Sequence, residues 1–466
     1  MIRNVQLIFP EGLHRRLLEH LFPGDRNEHG CVLAAGLAST SFGSRLLVRE
    51  VWPAREPLDY RLGNEGYMGL QASFIHRCIT RCRDERLVYL AVHNHGGSGY
   101  VAFSAVDMKS HERGYGALLD IAEGMPVGAL VVADGAMEID LWHPNGTRAA
   151  LREARVLGSS IERYYPSKDV RAAAEAGSPS EEYARQTLFL GTAGQTFFKN
   201  AKVGVIGLGG IGSLLCEYLS RLGVGHLVLI DPDRVEPSNF SRVVGARVAD
   251  LDRASGESTL KVDIAERLAH EAQPHATVEK IADDFSRISS ARRVIDCDFA
   301  FLAADTMRAR LVFNAIVHQY YVPGIQLGSK VVIDPATGSI SLAYSVVRDV
   351  RPGEGCLLCN QLIDPGRLAE EWKTNAERED QQYGLHSPNP SVITLNAVAA
   401  AHAANDFLFA FAGIRKEQKA LYRRFNHLNQ STHFEHPRRD VACSECSNAS
   451  ESRLGYGDNR QLPCVT

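Results

Sequence analysis

The stretch KVGVIGLGGIGSLLCEYLSRLGVGHLVLID, residues 202–231, decides the fold of the second half of the chain. Its apolar start predicts a buried strand, the glycine-rich segment a tight turn, and SLLCEYLSRLG a helix. The next apolar run, LVLID, ends at Asp231, nineteen residues after Gly212. Strand, glycine loop, helix and strand in this order are typical of a doubly wound parallel sheet. We expect Asp231 to bind ribose hydroxyls and the loop to admit a phosphate group at Gly207, Gly209, Gly210 and Gly212.

Polar residues after the second strand indicate which nucleotide binds. The segment DPDRVEPSNFSR contains Asp233, Asn239 and Arg242, and Lys261 follows in STLKVDIA. Hydride transfer has no evident need for an amide and two cations at this place, whereas a triphosphate needs them to neutralise its charge. Asp305, in FLAADTMRAR, follows a predicted buried strand and is a candidate ligand for Mg²⁺. We therefore expect ATP at this site rather than a nicotinamide dinucleotide.

Residues 182–413 resemble the ThiF/MoeB/ubiquitin-activating superfamily. The resemblance rests on YARQ (183–186), GLGGIGS, LIDPDRVEPSNFSR, Lys261 and Asp305. It implies a Rossmann-like adenylation domain that joins AMP to the C-terminus of a ubiquitin-like protein, with ATP and Mg²⁺ as cofactors. The residues that it assigns to the ATP phosphates are Asn239, Arg242 and Lys261 in the same chain and Arg185 in the partner subunit of a homodimer.

Four of the ten cysteines form two C-x-x-C pairs, Cys356–Cys359 and Cys443–Cys446. This spacing is typical of a four-thiolate Zn²⁺ site, and a redox dithiol is the alternative. The superfamily has a structural zinc in this arrangement. The separation of the two pairs suits a metal that fixes the end of the chain to the domain core.

The chain lacks one expected thiol. Ubiquitin-activating enzymes carry a nucleophilic cysteine that takes the carrier as a thioester, but no cysteine lies between Cys359 and Cys443. The acceptors left open are a thiol of a partner protein, Cys464 in the tail, and a hydroxyl. The candidate hydroxyls are those of Ser387, Ser391 and Thr394, each of which would need a general base.

A second group of candidate ligands lies in the first half of the chain, in VHNHGGSGYVAFSAVD. His93 and His95 are two residues apart, so both imidazoles point to one face of an extended strand. Asp107 lies at the start of the next predicted helix, where Ser104 and Asp107 also match a capping box. Two imidazoles and one carboxylate leave a fourth position for water, which is the arrangement of a catalytic Zn²⁺ site.

This segment resembles the JAB/JAMM family of zinc isopeptidases, whose pattern is H-x-H, a loop and then S-x-x-D, with a glutamate far upstream. The resemblance implies a cytidine-deaminase-like α/β fold. It assigns the general base to Glu28, in NEHGCVLAAG, and oxyanion stabilisation to Ser104. A catalytically silent JAB fold that only docks the carrier is the alternative.

The 466 residues, 45% hydrophobic and 23% charged, predict a folded chain of two or three domains. We predict a JAB/JAMM-like domain over 1–157, a polar linker over 158–180 and an adenylation domain over 181–466. The net charge of −4 gives no support to a nucleic-acid or membrane surface. The apolar stretch 393–411 contains Asn396 and Asp406, which favours a buried helix over a membrane span. We expect a cytoplasmic protein.

The predicted function is ATP-dependent activation of a ubiquitin-like protein by an enzyme fused to a zinc isopeptidase that processes or deconjugates it. The carrier would offer an extended C-terminal tail, and a conjugating enzyme is a candidate further partner. By resemblance, the fusion implies a bacterial ubiquitin-like conjugation system. The alternative is a sulfur-carrier adenylyltransferase that leads to a thiocarboxylate, with the first domain as a releasing peptidase or an inert binding module. A dehydrogenase is a more remote alternative.

Overall fold

The computed structural model describes residues 2–61, 69–177, 180–251, 257–372, 390–415 and 421–465. The chain forms two compact units. Unit 1 comprises the described residues up to Ala176 together with two later segments, Gln319–Tyr321 and Asn448–Gln461. Unit 2 comprises the other described residues. We call Asn448–Gln461 the C-terminal strap.

The described part of unit 1 forms one mixed sheet with helices. The strands are β1 (Ile2–Pro10), β2 (Gly30–Thr40), β3 (Gly43–Pro53), β4 (Val88–Ser98), β5 (Val127–Asp134), β6 (Ala136–Trp142), β7 (Arg148–Leu157) and β8 (Ile161–Tyr164). The helices are α1 (Glu11–Leu21), α2 (Ala72–Asp84), α3 (Ala105–Ala122) and α4 (Lys168–Glu175). The sheet order is β1-β3-β2-β4-β5-β6-β7-β8, and β1 also pairs with β7. This second pairing closes the first seven strands into a ring.

Strand β4 carries the H-x-H motif out of the core of unit 1. Val88, Tyr89 and Leu90 are buried, and burial then alternates, with Val92 and Asn94 buried and the two histidines half-buried. Because successive side chains of a strand point to opposite faces, the apolar core fixes the direction of both imidazoles.

The C-terminal strap packs against β2 and β3 within unit 1. Arg49, which is 1% exposed, donates hydrogen bonds to the carbonyl oxygens of Leu454 and Ala449, and its guanidinium lies 4.2 Å from the ring centre of Tyr456. The backbones approach closely, because a Cβ at Gly36 would lie 2.0 Å from the carbonyl oxygen of Gly455. Hydrogen bonds to the terminal nitrogens of a buried guanidinium offset part of the cost of removing its charge from water, although Nε of Arg49 is buried without a partner in the described part of the chain. Arg49 therefore ties the strap to the sheet.

Unit 2 alternates strands and helices. The strands are β9 (Lys202–Ile206), β10 (His226–Ile230), β11 (Thr277–Ile281), β12 (Phe299–Leu302), β13 (Gly324–Ile333), β14 (Ile340–Val350), β15 (Tyr422–Asn426) and β16 (Ser431–Glu435). The helices are α5 (Ala184–Asn200), α6 (Gly210–Arg221), α7 (Lys261–Ala272), α8 (Ile288–Ile295), α9 (Met307–Tyr320), α10 (Pro365–Trp372) and α11 (Ile393–Phe411). The last two residues of α9 belong to unit 1.

The sheet of unit 2 has the order β11-β10-β9-β12-β13-β14-β15-β16. Strands β11 to β13 run parallel, and β13 to β16 pair antiparallel. The chain moves outward from β9 to β11 and then returns to β12 on the other side of β9. Ligands of such sheets bind beyond the carboxyl ends of the strands at this reversal. The predicted doubly wound sheet is confirmed.

Helix α11 covers the residues that the sequence predicted to form a buried helix. Its Phe407 and Phe411 lie against Phe198, with ring centres 5.4 and 5.7 Å away, and Phe407 also contacts Phe299 and Phe301 of β12. This aromatic cluster explains why so apolar a helix belongs inside the domain. None of the helices described in the structure combines the length and apolar character that a membrane crossing requires.

The predicted linker over 158–180 contains regular structure. Strand β8 pairs antiparallel with β7, and α4 begins after Ser167, whose hydroxyl accepts a hydrogen bond from the backbone nitrogen of Val170. Unit 1 continues to Ala176 and also includes the strap. The division at 157 and 181 remains a prediction of domain extent.

Candidate functional site

The glycine loop connects β9 to α6 at the point where the sheet of unit 2 reverses. Gly207 has a φ of +87°, which favours glycine, and α6 begins at Gly210. Asp231, at the end of β10, accepts hydrogen bonds from the backbone nitrogens of Leu208 (2.6 Å) and Asp233 (2.9 Å). Burial raises the pKa of Asp231, and the charge of Lys261 acts in the opposite direction. Asp231 therefore fixes the conformation of the glycine loop through these two hydrogen bonds. Each carboxylate oxygen has a second lone pair that can accept a hydrogen bond from a ligand.

Three of the four predicted loop glycines are packed and one faces open space. A Cβ added to Gly207 would lie 2.7 Å from the backbone nitrogen of Ala304. A Cβ added to Gly210 would lie 2.3 Å from Nδ2 of Asn396, and one added to Gly212 would lie 1.8 Å from the carbonyl oxygen of Gly207. A Cβ at Gly209 would meet no atom within 4 Å. The room for a phosphate group is therefore at Gly209, at the N-terminus of α6.

Lys261, the first residue of α7, lies against the two aspartates that follow β10. Its Nζ lies 2.6 Å from Oδ2 of Asp233 and 3.8 Å from Oδ1 of Asp231, and its side chain is 11% exposed. The Asp233 side chain is 62% exposed, so this ion pair can be exchanged for a more highly charged anion.

Arg242 and Asn239 lie beside the loop. Arg242 donates to the backbone oxygen of Ser238 (2.9 Å), and its side chain lies 3.3 Å from the position of a Cβ on Gly210. Asn239 is buried, and its amide bonds to the backbone nitrogen of Glu236 and to the Ser238 hydroxyl. Asn239 therefore shapes the turn that presents Arg242.

Asp305 follows β12 on the other side of the loop. The backbone nitrogens of Ala303 and Ala304 donate to the carbonyl oxygen of Ile206, at 2.8 and 3.0 Å. This connection places the exposed Asp305 next to the glycine loop. Arg185 is exposed in the first turn of α5, and no contact among the described residues ties it to the loop.

Sequence reasoning missed the contribution of Asn396 to this site. Its Oδ1 accepts a hydrogen bond from Ser329 (2.6 Å), and its Nδ2 donates to the hydroxyl of Ser391 (3.2 Å) beside Gly210. The signal was a single amide in the apolar helix ITLNAVAAA, because a buried amide requires partners. Of the hydroxyls considered as acceptors, Ser391 is half-buried and Thr394 exposed, while Ser387 lies outside the described residues.

The four C-x-x-C thiols converge in unit 2. All four sulfurs lie within 4.8 Å of one another, and the pairs Cys356–Cys443 and Cys359–Cys446 are 3.7 Å apart. With Zn–S bonds of about 2.3 Å, the edge of a tetrahedron is about 3.8 Å. The backbone nitrogen of Glu445 donates to Cys443 Sγ, and that of Asp440 to Cys359 Sγ. The cluster has the dimensions and the donors of a four-thiolate metal site.

The other cysteines are in different surroundings. Cys31, Cys78, Cys82, Cys216 and Cys297 are buried, as the sequence indicated. Cys464 is half-buried, and the neighbouring backbone nitrogen of Val465 donates to the carbonyl oxygen of Ser286 at 2.8 Å. The end of the chain is therefore held against the start of α8.

In unit 1, His93, His95 and Asp107 also converge. The two Nε2 atoms lie 3.1 Å apart, and Oδ2 of Asp107 lies 3.6 Å from each. Bonds of about 2.0–2.1 Å to a tetrahedral ion would separate such ligand atoms by about 3.3 Å. Oε1 of Glu28 lies 3.9 Å from Nε2 of His95, outside this triangle. The set fits three ligands, with the carboxylate of Glu28 adjacent to but outside it.

Ser104 and Asp107 form the predicted capping box at the start of α3. The Ser104 hydroxyl and backbone nitrogen both donate to Oδ2 of Asp107 at 2.7 Å, and the Asp107 backbone nitrogen donates to Ser104 Oγ. Burial acts to raise the pKa of Asp107, but His93 and the bonds from Ser104 hold that pKa well below its usual range. The single hydroxyl proton of Ser104 is thus used to hold Asp107 in place.

Asn94, between the two histidines, is a further residue that sequence reasoning missed. Its Oδ1 accepts a hydrogen bond of 2.6 Å from the backbone nitrogen of His29, and Gly30 pairs with His93 between β2 and β4. Asn94 therefore fixes the backbone that follows Glu28.

The match to a known protein family lies in the second half of the chain. The sequence model of the ThiF family matches residues 183–448. The chain is 38% identical over 103 residues to the adenylyltransferase and sulfurtransferase uba4 of Emericella nidulans, across 22% of this chain and 20% of that protein. It is 29% identical over 178 residues to the sulfur carrier protein ThiS adenylyltransferase of Bacillus subtilis, across 38% of this chain and 50% of that protein. The matched part of the chain thus spans between a fifth and a half of the length of these relatives.

Solved structures similar to the chain include MccB of E. coli. The TM-score is 0.46 at 21% identity, and the alignment covers 59% of this chain and 75% of that chain.

Proposed function

Because the chain belongs to the ThiF family, we propose that unit 2 is an adenylyltransferase that activates the C-terminal carboxylate of a ubiquitin-like or sulfur-carrier protein. Arg242 lies beside Gly210, Lys261 lies against Asp231 at the end of β10, and Asp305 follows β12, the strand that pairs with β9. This placement of two cations and one carboxylate at the edge of the sheet that carries the glycine loop supports the proposal. Two cations and one carboxylate at a helix N-terminus suit a nucleoside triphosphate with Mg²⁺.

The proposed reaction assigns a role to each side chain. The carrier carboxylate attacks the α-phosphorus of ATP, the bond to the β-phosphate oxygen breaks, and pyrophosphate leaves with the acyl-adenylate as the other product. Lys261 and Arg242 neutralise the phosphates, and Asp305 would hold Mg²⁺ on the leaving pyrophosphate. Asp231 would bind the ribose, and Asn239 would keep Arg242 in place. Arg185 would act across a homodimer.

The step after adenylation is proposed to be sulfur transfer. The names of the uba4 and ThiS-adenylyltransferase relatives support this alternative over conjugation. The absence of cysteine between Cys359 and Cys443 supports it as well, because the chain then lacks the thiol that forms a carrier thioester in ubiquitin-activating enzymes. In a conjugation pathway, the thiol of a conjugating enzyme would fill the same role.

The four-thiolate cluster is proposed to hold a structural Zn²⁺. Three of its four thiols are buried, and backbone amides donate to two of the sulfurs, which supports a permanently bound ion rather than a redox dithiol.

A second function is proposed for unit 1, namely hydrolysis of a bond after the same carrier tail. His93, His95 and Asp107 would hold Zn²⁺, which would supply a Lewis acid and acidify its water. Glu28, close to His95 but outside the ligand triangle, would take the proton of the attacking water. An oxyanion role for Ser104 requires its hydroxyl to release Asp107 first.

Pyrophosphate exchange into ATP tests the first function. With a glycine-ended sulfur carrier present, Lys261→Ala should reduce exchange at least about a hundredfold. The matched variant Lys199→Ala, at an exposed lysine of α5, should leave it unchanged. Equal exchange in Lys261→Ala and the unmodified chain would refute the assignment. Binding of NAD without any exchange would instead support a dehydrogenase.

Cleavage of a carrier–peptide fusion tests the second function. Glu28→Ala should abolish cleavage and retain bound zinc, because a general base is not a ligand. Glu19→Ala, at an exposed carboxylate of α1, is the control. If the unmodified chain cleaves nothing and holds one zinc ion, the hydrolytic role of unit 1 is refuted.

A further inference from the structure

A buried amide of α9 contacts both C-x-x-C turns of unit 2. We call residues 356–359 the first knuckle and residues 443–446 the second knuckle. Asn314 is 0% exposed; its Oδ1 accepts a hydrogen bond from the backbone nitrogen of Leu357 (2.8 Å), and its Nδ2 donates to Oε2 of Glu445 (3.2 Å). Leu357 lies in the first knuckle and Glu445 in the second. Leaving a buried amide without partners is costly, so Asn314 favours the arrangement in which the knuckles lie side by side.

A second amide connects the two segments on the surface side. Asn360, directly after the first knuckle, donates from Nδ2 to the carbonyl oxygens of Cys356 (2.8 Å) and Arg438 (3.0 Å). Its Oδ1 accepts a hydrogen bond from the backbone nitrogen of Arg438 (2.9 Å). The two backbones also approach closely, because a Cβ at Gly355 would lie 2.2 Å from the carbonyl oxygen of Arg438. Asn360 therefore holds the segment that leads into the second knuckle.

These connections do not depend on a metal. Their atoms belong to amides, carbonyl groups and one carboxylate, and none of them is a thiol. In the same arrangement, Sγ of Cys356 lies 3.7 Å from Sγ of Cys443, and Sγ of Cys359 lies 3.7 Å from Sγ of Cys446. Ordering four ligands costs conformational entropy, and ligands that are ordered beforehand leave less of this cost to the binding step.

We propose that Asn314 and Asn360 preform the four-thiolate cluster, so that the two knuckles stay together in the metal-free chain and the ion enters an assembled site. Both are positioning residues, because neither is one of the four thiolate ligands. This inference rests on the proposed metal at these thiols. It differs from the behaviour of small zinc domains, in which the metal itself assembles the knuckles and the metal-free chain is unfolded.

Cobalt binding to the reduced, metal-free full chain tests the role of the two amides. Co²⁺ is titrated and the thiolate-to-cobalt charge-transfer absorption is followed, which a site of imidazoles and carboxylates does not produce. Asn314→Leu has a similar size but no hydrogen bonds, and should weaken Co²⁺ binding by about 10- to 100-fold. Asn360→Ala, at a half-buried position, should act in the same direction and keeps the test open if Asn314→Leu does not fold.

A matched control separates positioning from a general loss of stability. Gln195 of α5 is also a buried amide of unit 2, with hydrogen bonds to Gln186 (2.8 Å) and to the carbonyl oxygen of Leu222 (3.2 Å). Gln195→Leu should lower the melting temperature, as Asn314→Leu does, but leave the Co²⁺ affinity unchanged. An equal loss of affinity in Gln195→Leu would overturn the inference, and so would unchanged affinity in both Asn314→Leu and Asn360→Ala.

Disulfide mapping of the metal-free chain tests preformation without any metal. Diamide oxidises each pair of neighbouring thiols to a disulfide and is itself reduced to a hydrazine, and peptide mass spectrometry then identifies the pairs. We expect the unmodified chain to form disulfides between the knuckles, and Asn314→Leu to shift them to pairs within each knuckle. Pairs only within the knuckles of the unmodified chain would overturn the inference. Pairs between the knuckles in a chain that binds no Co²⁺ would support it and count against the proposed metal.

Discussion

Three of the four loop glycines differ in what a methyl group added at each position would meet. Gly209→Ala adds a methyl group to open space, whereas Gly212→Ala places it 1.8 Å from the carbonyl oxygen of Gly207. Gly210→Ala is intermediate, because the atom in the way is the side-chain amide of Asn396, at 2.3 Å. The three variants therefore change the same chemical group in three different surroundings.

The expected loss of stability in each variant depends on which atoms must shift to make room for the added methyl group. In Gly212→Ala the backbone must shift by about 1 Å, which we expect to destabilise the fold by at least about 3 kcal/mol. In Gly210→Ala, Asn396 must leave its hydrogen bonds to Ser329 and Ser391, which costs about 1–2 kcal/mol. In Gly209→Ala, weaker helix capping of about 1 kcal/mol is largely offset by the lower entropy of the unfolded chain.

Thermal unfolding and the KM for ATP are measured together on the three variants. Gly209→Ala should unfold like the unmodified chain but raise the KM for ATP at least about tenfold, because its methyl group occupies the space for the phosphate. Gly212→Ala should unfold at a markedly lower temperature. If Gly209→Ala binds ATP normally, the phosphates do not lie against Gly209. A Gly212→Ala variant of full stability would refute the loop geometry.

Further predictions concern stability and metal content. Burial lowers the pKa of His14 to about 4. Because the unfolded chain binds a proton at His14 more readily, the free energy of unfolding of unit 1 should fall by about 2–3 kcal/mol as the pH falls from 6.5 to 4. His14→Phe should remove this dependence in denaturant titrations; an unchanged pH profile would contradict the burial argument. Arg49→Met leaves carbonyl groups of the strap without donors and should lower the melting temperature of unit 1 by about 6–12 °C. Arg15→Met, at an exposed site of α1, is the control. If Arg49→Met lowers the melting temperature less than Arg15→Met does, Arg49 does not hold the strap. Elemental analysis should find two zinc ions per chain, and His93→Ala and Cys443→Ser should each lose a different one; loss of both from either variant would show that the sites are not independent.

The doubly wound half of the fold was predictable because its signals are local. The strand, glycine loop and helix are contiguous in sequence, and α11 is continuous from Ile393 to Phe411. The strap was not predictable, because Asn448–Gln461 has no apolar periodicity of its own and belongs to unit 1 through Arg49 and close backbone approach. Long-range pairing of this kind leaves no pattern in a single sequence.

The candidate sites were predictable to the extent that spacing determines geometry. His93 and His95 share a strand face, and the two C-x-x-C turns each bring a pair of thiols together. Asn94 and Asn396 were missed, since an isolated polar residue in a strand or helix does not show whether it points inward. Only the tertiary contacts reveal that they hold the backbone or the loop beside each candidate site.

Carrier-dependent exchange of radiolabelled pyrophosphate into ATP tests the central claim most directly. The measurement uses the full chain and a panel of small ubiquitin-like carriers, each prepared with its terminal glycine and without it. We expect exchange with at least one intact carrier, and none with the shortened form or without a carrier. Exchange that proceeds equally well without a carrier, or no exchange with any carrier by a folded chain that binds ATP, would contradict the account.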